Sequence, residues 1–420
     1  MDLPYLVFCD KKGKIYRHPS LKMAVSAAGL VSVPRDKELI RIPKGSTLFF
    51  LPKRHPIGFD ERKKEFIVLD KFEGREAFVL TVFPIPAYLR LYSPANLVKD
   101  KEVLPLWPYT ACGFFRGNFY ITAKRVDNRI RQSPGFYNDK LVQKSVKEFF
   151  KLYPDNRLYA HLANCALNYN CLAAKNLFLQ RWEAPLPTSR FCNARCIGCL
   201  NSQTKISASH ERIDFKPKLT DILEVMVNHL KVAREAIVSF GQGCEGEPLL
   251  EADLIADSVS EARKIIKRGT INVNTNASIP KKIEKLCRAG VDSFRVSLNS
   301  TDEKSYNLYF KPINYAFSDV LKSIDIAKKH NKFVAINLFV FPGFTDSEEQ
   351  IKSLIRFIKV TKIDMIQWRN LSIDPDYYIS KVIGSKVKPK GINYLLDVIN
   401  RKFPALKTGY FNLPLAKRHK

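Results

Sequence analysis

RFCNARCIGC, residues 190–199, sets Cys192, Cys196 and Cys199 in a C-x3-C-x2-C spacing inside one short loop. Three thiolates delivered by so compact a loop can ligate three irons of a cubane and leave the fourth iron without a protein ligand. A structural zinc ion instead takes four closed ligands, usually from paired C-x2-C units, and no second unit follows at a suitable distance. The loop therefore points to a [4Fe-4S] cluster with one open iron.

Outward from the loop, the chain alternates strand-like and helix-like segments. EAIVSFGQG (235–243), TINVNTNA (270–277), SFRVSLNS (293–300), FVAINLFVFPG (333–343) and MIQWRNLS (365–372) carry β-branched and aromatic runs. Between them lie segments of helical periodicity: 219–233, 251–268, 280–290, 318–330 and 346–360. This βα succession predicts parallel strands joined by right-handed crossovers, with ligands at the C-terminal strand ends. The expected fold class is α/β, a partial (β/α)6 TIM-like barrel over 184–385.

With the cysteine loop opening such a succession, the chain resembles the radical S-adenosylmethionine (SAM) superfamily over residues 184 to 375. The resemblance implies that SAM chelates the open iron and is reductively cleaved to a 5′-deoxyadenosyl radical that abstracts hydrogen from a substrate. In that family the cofactors carry the hard chemistry and the protein supplies orientation and exclusion of water. GCEGEPLL (243–250) is similar to the family's Gly-Gly-Glu-Pro element, which implies that Gly246 and Glu247 receive the SAM amino group. VNTNAS (273–278) resembles the third-strand element and places Thr275 and Asn276 near SAM; VSLNS (296–300) resembles the fourth and places Ser297 and Asn299 near its carboxylate or ribose. One residue departs from the pattern: Gly198 stands where the family usually has an aromatic residue near the adenine, with Ile197 before it.

Other residues admit two readings. Arg369, at the end of the sixth strand, faces SAM or substrate, or is a surface cation; Trp368 beside it contacts the site or packs in the core. Gly343, Thr345, Asp346, Glu348 and Glu349 read as a strand exit and helix cap. Of the six remaining cysteines, Cys287 reads as a core residue. Cys244 ends the second strand beside the expected SAM pocket and is the candidate catalytic thiol. Cys165, Cys171 and Cys244 are together candidates for a second Fe–S cluster, against the alternative of buried thiols.

Upstream, residues 1–95 are short strands punctuated by Gly and Pro, a β-rich accessory module, and 96–183 form a mixed α/β connecting region with a hairpin in 104–126 and helices after it. Residues 386–420 read as a basic C-terminal tail with one helix. The 420 residues are 45% hydrophobic, which argues against long disordered regions. Nine cysteines, three of them within one loop, suit a reducing compartment better than a disulfide framework. The N-terminus lacks a basic n-region and a small-residue cleavage site, and no run of about 18 apolar residues occurs, so no signal peptide and no membrane span are expected and the cytoplasm is the expected location.

The formal net charge of +28 is unevenly spread: residues 1–200 carry 33 basic against 17 acidic side chains, 201–350 carry 21 against 20, and 351–420 carry 15 against 4. A neutral catalytic stretch with basic, aromatic-bearing flanks such as KSVKEFF (144–150) and RKFPALKTGYF (401–411) favours RNA as the substrate. The alternatives are a peptide or protein substrate laid along an edge strand of the β-module, and a non-catalytic Fe–S protein. The resemblance further implies an electron donor such as flavodoxin or ferredoxin.

Overall fold

In the computed structural model, residues 2–98, 102–201, 210–384 and 387–418 are described. Seven parallel strands in sequential order form a curled sheet: Arg181–Pro185, Arg234–Phe240, Thr270–Thr275, Ser293–Leu298, Phe333–Val340, Met365–Asn370 and Lys407–Gly409. The outward faces are apolar, as a sheet covered by helices requires. Phe294, Val296 and Leu298 alternate with lumen-facing Arg295 and Ser297, and bury against the helical layer. Each such side chain contributes about 1.5–3 kcal/mol by leaving water.

Six strands were expected and a seventh is present. It comes from the segment read as a basic tail, and it pairs with the sixth through Met365 against Lys407 and Gln367 against Gly409. The segment is not a free arm. Arg418 is buried at the N-terminal end of the sheet, where its guanidinium donates to the Ser293 hydroxyl at 2.9 Å and to the carbonyls of Asp292 and Leu413, and Lys417 pairs with Glu235. Residues 386, 419 and 420 of that segment lie outside the described residues.

The N-terminal module is an 11-stranded sheet whose pairings are antiparallel. The expected hairpin is Thr110–Phe115 with Asn118–Arg125, turning at Arg116 and Gly117, both of positive φ. It pairs with strands of the first 95 residues, so the antiparallel sheet extends to residue 125. Beyond it, the periodic stretch 157–182 is two helices, Arg157–Leu167 and Leu172–Phe178. Asn156 caps the first by accepting from Leu158 and Tyr159, and Asn170 in the left-handed region breaks the chain between them.

The module docks on the loops that follow the fifth and sixth barrel strands. Buried Arg54 pairs with buried Asp374 at 3.1 Å, and Arg90 donates to the Leu371 carbonyl at 2.9 Å. Gly343 (φ +92°) allows the close approach, since a Cβ there would lie 2.4 Å from the Ala27 carbonyl carbon. Ser347, rather than Thr345 or Asp346, caps the Glu348–Thr361 helix by accepting from Gln350. Thr345 and Asp346 accept from Phe341 and Gly343 and shape the turn before it. No helix among the described residues is long and apolar enough to cross a membrane.

Candidate active site: a cysteine loop at the rim of a polar barrel

The cysteine loop is held by backbone contacts on two sides. Arg195 and Ile197 donate to the carbonyls of Phe310 and Tyr309, and Ala194 bridges Pro312. Asn193 donates to Ser278 and accepts from the Asn276 amide, both at 2.8 Å, which ties the loop to the end of the third strand. The loop thus leaves Cys192, Cys196 and Cys199 partly exposed on one short turn. Burial, and then the charge of Glu247, push the Cys192 thiol up to about 11; burial and the neighbouring cysteines push the Cys196 thiol well above its ordinary value. Thiols so placed gain from a bound cation, because the metal replaces the proton that burial retains. One cation of the protein lies close: Arg212 Nη2 is 3.8 Å from Cys199 Sγ and donates at 2.8 Å to Asn201, which also touches Cys199. The donor set, three soft thiols on one loop, fits an Fe–S cluster with three protein ligands.

The GCEGEP stretch clamps that loop from below. Glu245 is buried and accepts from the amides of Thr188, Ser189 and Gly241 and from the Thr188 hydroxyl. Gly246 donates to Ser189 and Glu247 donates through its amide to Phe191. A Cβ at Gly246 would sit 1.9 Å from the Phe191 carbonyl oxygen, so only glycine permits this crossing. The Glu247 carboxylate is turned to the third strand, accepting from the Thr275 hydroxyl, the Asn276 amide at 2.8 Å and the Leu249 amide at 3.1 Å. Burial raises both carboxyls to about 7. Gly246, Glu247, Thr275 and Asn276 are therefore brought together with the cysteine loop, and Glu247 has a structural duty as well as the cofactor contact expected of it.

On the fourth strand, Ser297 faces the lumen and is partly exposed, whereas Asn299 is fully buried. The Asn299 amide donates to the Ser305 carbonyl and the Tyr378 hydroxyl, leaving its own Oδ1 unpartnered. The space at Gly198 is filled from elsewhere: the Tyr309 hydroxyl lies 2.7 Å from where a Cβ would be. An aromatic ring is thus present beside the loop, supplied by the Glu303–Phe310 helix. Trp368 is buried in the core, while Arg369 faces the lumen, stacked 3.9 Å from the Tyr410 ring and donating to the Tyr410 carbonyl.

The lumen is polar across its width. Glu183 accepts from Ser239 at 2.6 Å, Gln242 at 2.9 Å and Asn412 at 2.7 Å; Asn412 accepts from Gln367 at 2.8 Å; and Gln367 accepts from Arg295 at 3.3 Å. Arg295 is 9% exposed and its Nε has no partner; Asn337, 7% exposed and one strand away, has an unpartnered Oδ1. Burial, and then Arg369, pull Arg295 down to about 10, so it is still cationic at neutral pH. Neither Arg295 nor Arg369 forms an ion pair among the described residues. Sequence reasoning passed over Arg295 because it lies within VSLNS's own strand, at a position that periodicity marks only as lumen-facing.

Cys244 stands beside Cys165, one of the cysteines with which the sequence groups it. Its thiol lies in a group with Cys165 and His161, all three ligand atoms within 4.8 Å of one another. His161, which sequence reasoning missed, stands four residues before Cys165 on one helical face, a signal visible in retrospect.

Two curated relatives are similar over part of the chain. GTP 3',8-cyclase of Thermodesulfovibrio yellowstonii is 28% identical over 239 residues, 54% of this chain and 68% of the relative. GTP 3',8-cyclase of Marinobacter nauticus is 26% identical over 180 residues, 41% of this chain and about half (49%) of the relative. Among solved structures, the FeFe-hydrogenase maturase HydG of Carboxydothermus hydrogenoformans aligns over 65% of this chain and 71% of its own, at 12% identity and a TM-score of 0.40. Streptococcus suis SuiB bound to the precursor peptide SuiA aligns over 60% and 53%, at 17% identity and a TM-score of 0.38. Residues 186–356, from just past the first barrel strand through most of the helix after the fifth, match the family model described as the radical SAM superfamily, so this part of the chain is a radical SAM domain and the protein an enzyme built around it.

Proposed function

We propose that the chain cleaves SAM reductively at a [4Fe-4S] cluster held by Cys192, Cys196 and Cys199, and that it modifies a phosphate-bearing nucleotide, favoured as part of an RNA. Cluster and SAM together supply a carbon-centred radical able to abstract hydrogen; the chain's own residues bind, orient and exclude water. For SAM, the reading assigns Gly246, Glu247, Thr275, Asn276, Ser297 and Asn299. Glu247 keeps a free lone pair on Oε2, since a carboxylate offers about four acceptor sites and three are engaged.

The observation that carries the substrate class is Arg295. A guanidinium that is nine-tenths buried, with an unpartnered Nε and no carboxylate in contact, is offset by Glu183 only from a distance, and an anion brought against it supplies the contacting counter-charge that burial favours. Arg369 beside it makes a second donor fork, and planar forks match phosphate geometry. GTP, named in the activity of the two curated relatives, is such an anion. The N-terminal module, seated on the loops after the fifth and sixth strands, narrows access to the lumen and helps to exclude water.

The test is anaerobic incubation of reconstituted enzyme, SAM and a reductant with total RNA, with GTP, and with total protein, followed by mass spectrometry of each pool. The expected result is a modified nucleotide, with Arg295→Gln lowering product about 100-fold while 5′-deoxyadenosine formation without substrate changes less than about 2-fold, as loss of one charge-assisted contact implies. A modified peptide and no modified nucleotide would transfer the assignment to a peptide-modifying enzyme.

A further inference from the structure

We propose that His161, Cys165 and Cys244 form a metal site distinct from the cluster loop, one that takes a single thiolate-binding divalent ion such as zinc, with Cys171, whose thiol lies outside that group of three, moving in as the fourth ligand. The three ligand atoms lie within 4.8 Å of one another, and His161 Nε2 is 3.7 Å from Cys165 Sγ. A tetrahedral ion with bonds of about 2.3 Å to sulfur and about 2.0 Å to nitrogen holds that pair roughly 3.6 Å apart, so His161 and Cys165 already stand at coordination distance. In a cubane each cysteine binds a different iron, which spreads the sulfurs further than a shared ion does. The same argument therefore selects one ion over a second cluster.

The surroundings are those of a closed structural site. Cys165 and Cys244 are 2% and 3% exposed. The four side chains come from three segments: His161 and Cys165 from the Arg157–Leu167 helix, Cys171 from the turn after it, and Cys244 from the loop after the second barrel strand. The turn is folded back so that the Cys171 amide donates to the Cys165 carbonyl at 2.9 Å, and the Cys171 thiol lies within electrostatic reach of both other thiols. Glu211 and Asp214 lie within reach of His161, the kind of acidic neighbours that orient a ligating imidazole.

The ion would have a position from which to act. Cys244 directly precedes Glu245, Gly246 and Glu247, which clamp residues 188–191 at the start of the cluster loop. Fixing Cys244 to the 157–167 helix fixes the floor under the cluster.

The test is metal analysis of anaerobically purified full-length protein, of a Cys192→Ala/Cys196→Ala/Cys199→Ala variant, and of a Cys165→Ser/Cys244→Ser variant. About one zinc per chain is expected in the first two and less than about one tenth of that in the third. Protein produced with cobalt(II) in place of zinc should show the near-ultraviolet thiolate-to-cobalt band in the cluster-free variant, weakened by His161→Ala; this arm decides the matter if the double serine variant does not fold. Absence of both zinc and the cobalt–thiolate band from the cluster-free variant overturns the proposal. So does iron with inorganic sulfide persisting in that variant, which would mean a second cluster, or a Cys165–Cys244 disulfide in the anaerobic protein.

Discussion

The molecule carries two groups of sulfur ligands, and they are built in opposite ways. Cys192, Cys196 and Cys199 come from eight consecutive residues, stay partly exposed, and owe their arrangement to a loop pinned by its backbone. His161, Cys165 and Cys244 come from positions up to 83 residues apart, are gathered by the packing of a helix on the sheet, and bury both thiols. The first arrangement leaves room for a further ligand; the second closes on whatever it holds. A site meant for chemistry keeps its approach open, and a site meant for holding shape surrounds its ion.

Replacing Cys192, Cys196 and Cys199 together by Ala should abolish SAM cleavage and remove the cluster's iron. Retention of both iron and 5′-deoxyadenosine yield would collapse the contrast. Next in size is Gly246→Ala, which forces a methyl group to within 1.9 Å of the Phe191 carbonyl oxygen and must displace the loop it clamps. Cluster occupancy measured by absorbance should fall severalfold, and SAM cleavage by about 10- to 100-fold, the penalty expected of angstrom-scale misplacement. A smaller effect is expected of Arg212→Leu. It removes the cation 3.8 Å from Cys199 Sγ, so the cluster's midpoint potential should move to more negative values with iron content unchanged. An unchanged potential would show that Arg212 serves only Asn201. The smallest is Gly198→Ala, whose methyl meets the Tyr309 hydroxyl at 2.7 Å and the edge of its ring at 3.2 and 3.3 Å. A change of about 2- to 5-fold in KM for SAM is expected, relieved by adding Tyr309→Phe, in keeping with the modest cost of small overpacking.

The same contrast explains how much was legible before the coordinates. The cysteine loop, the GCEGEPLL stretch and the strand-end Thr275, Asn276 and Ser297 are local patterns, and the parallel sheet follows from strand and helix periods that alternate along the chain. What escaped is non-local. The seventh strand is only three residues long and hides in a basic segment whose Arg418 is buried by contacts with Ser293, 125 residues away. His161 and Cys165 share a helical face, but Cys244 joins them only when the second strand's exit loop packs on that helix. Arg295 is visible as a letter in VSLNS's strand, but its lack of a contacting carboxylate is a property of the whole lumen. The hairpin was recognised, yet its membership in the N-terminal sheet depends on pairing with residues 39–41 and 81–82.

The Arg54–Asp374 pair spans 320 residues of sequence. A ribosome adding about 5–20 residues per second takes roughly 16–64 s to make the second partner after the first. Throughout that interval the nascent β-module holds a guanidinium that its finished surroundings bury and pair, so its docking face stays wet and unfinished until the sixth strand emerges. On a nascent chain, docking of the module through this pair can be no earlier than the synthesis of residue 374. Synonymous codon changes or a pause site placed between residues 54 and 374 should alter the yield of assembled protein more than the same changes placed before residue 54, without altering a single atom of the product.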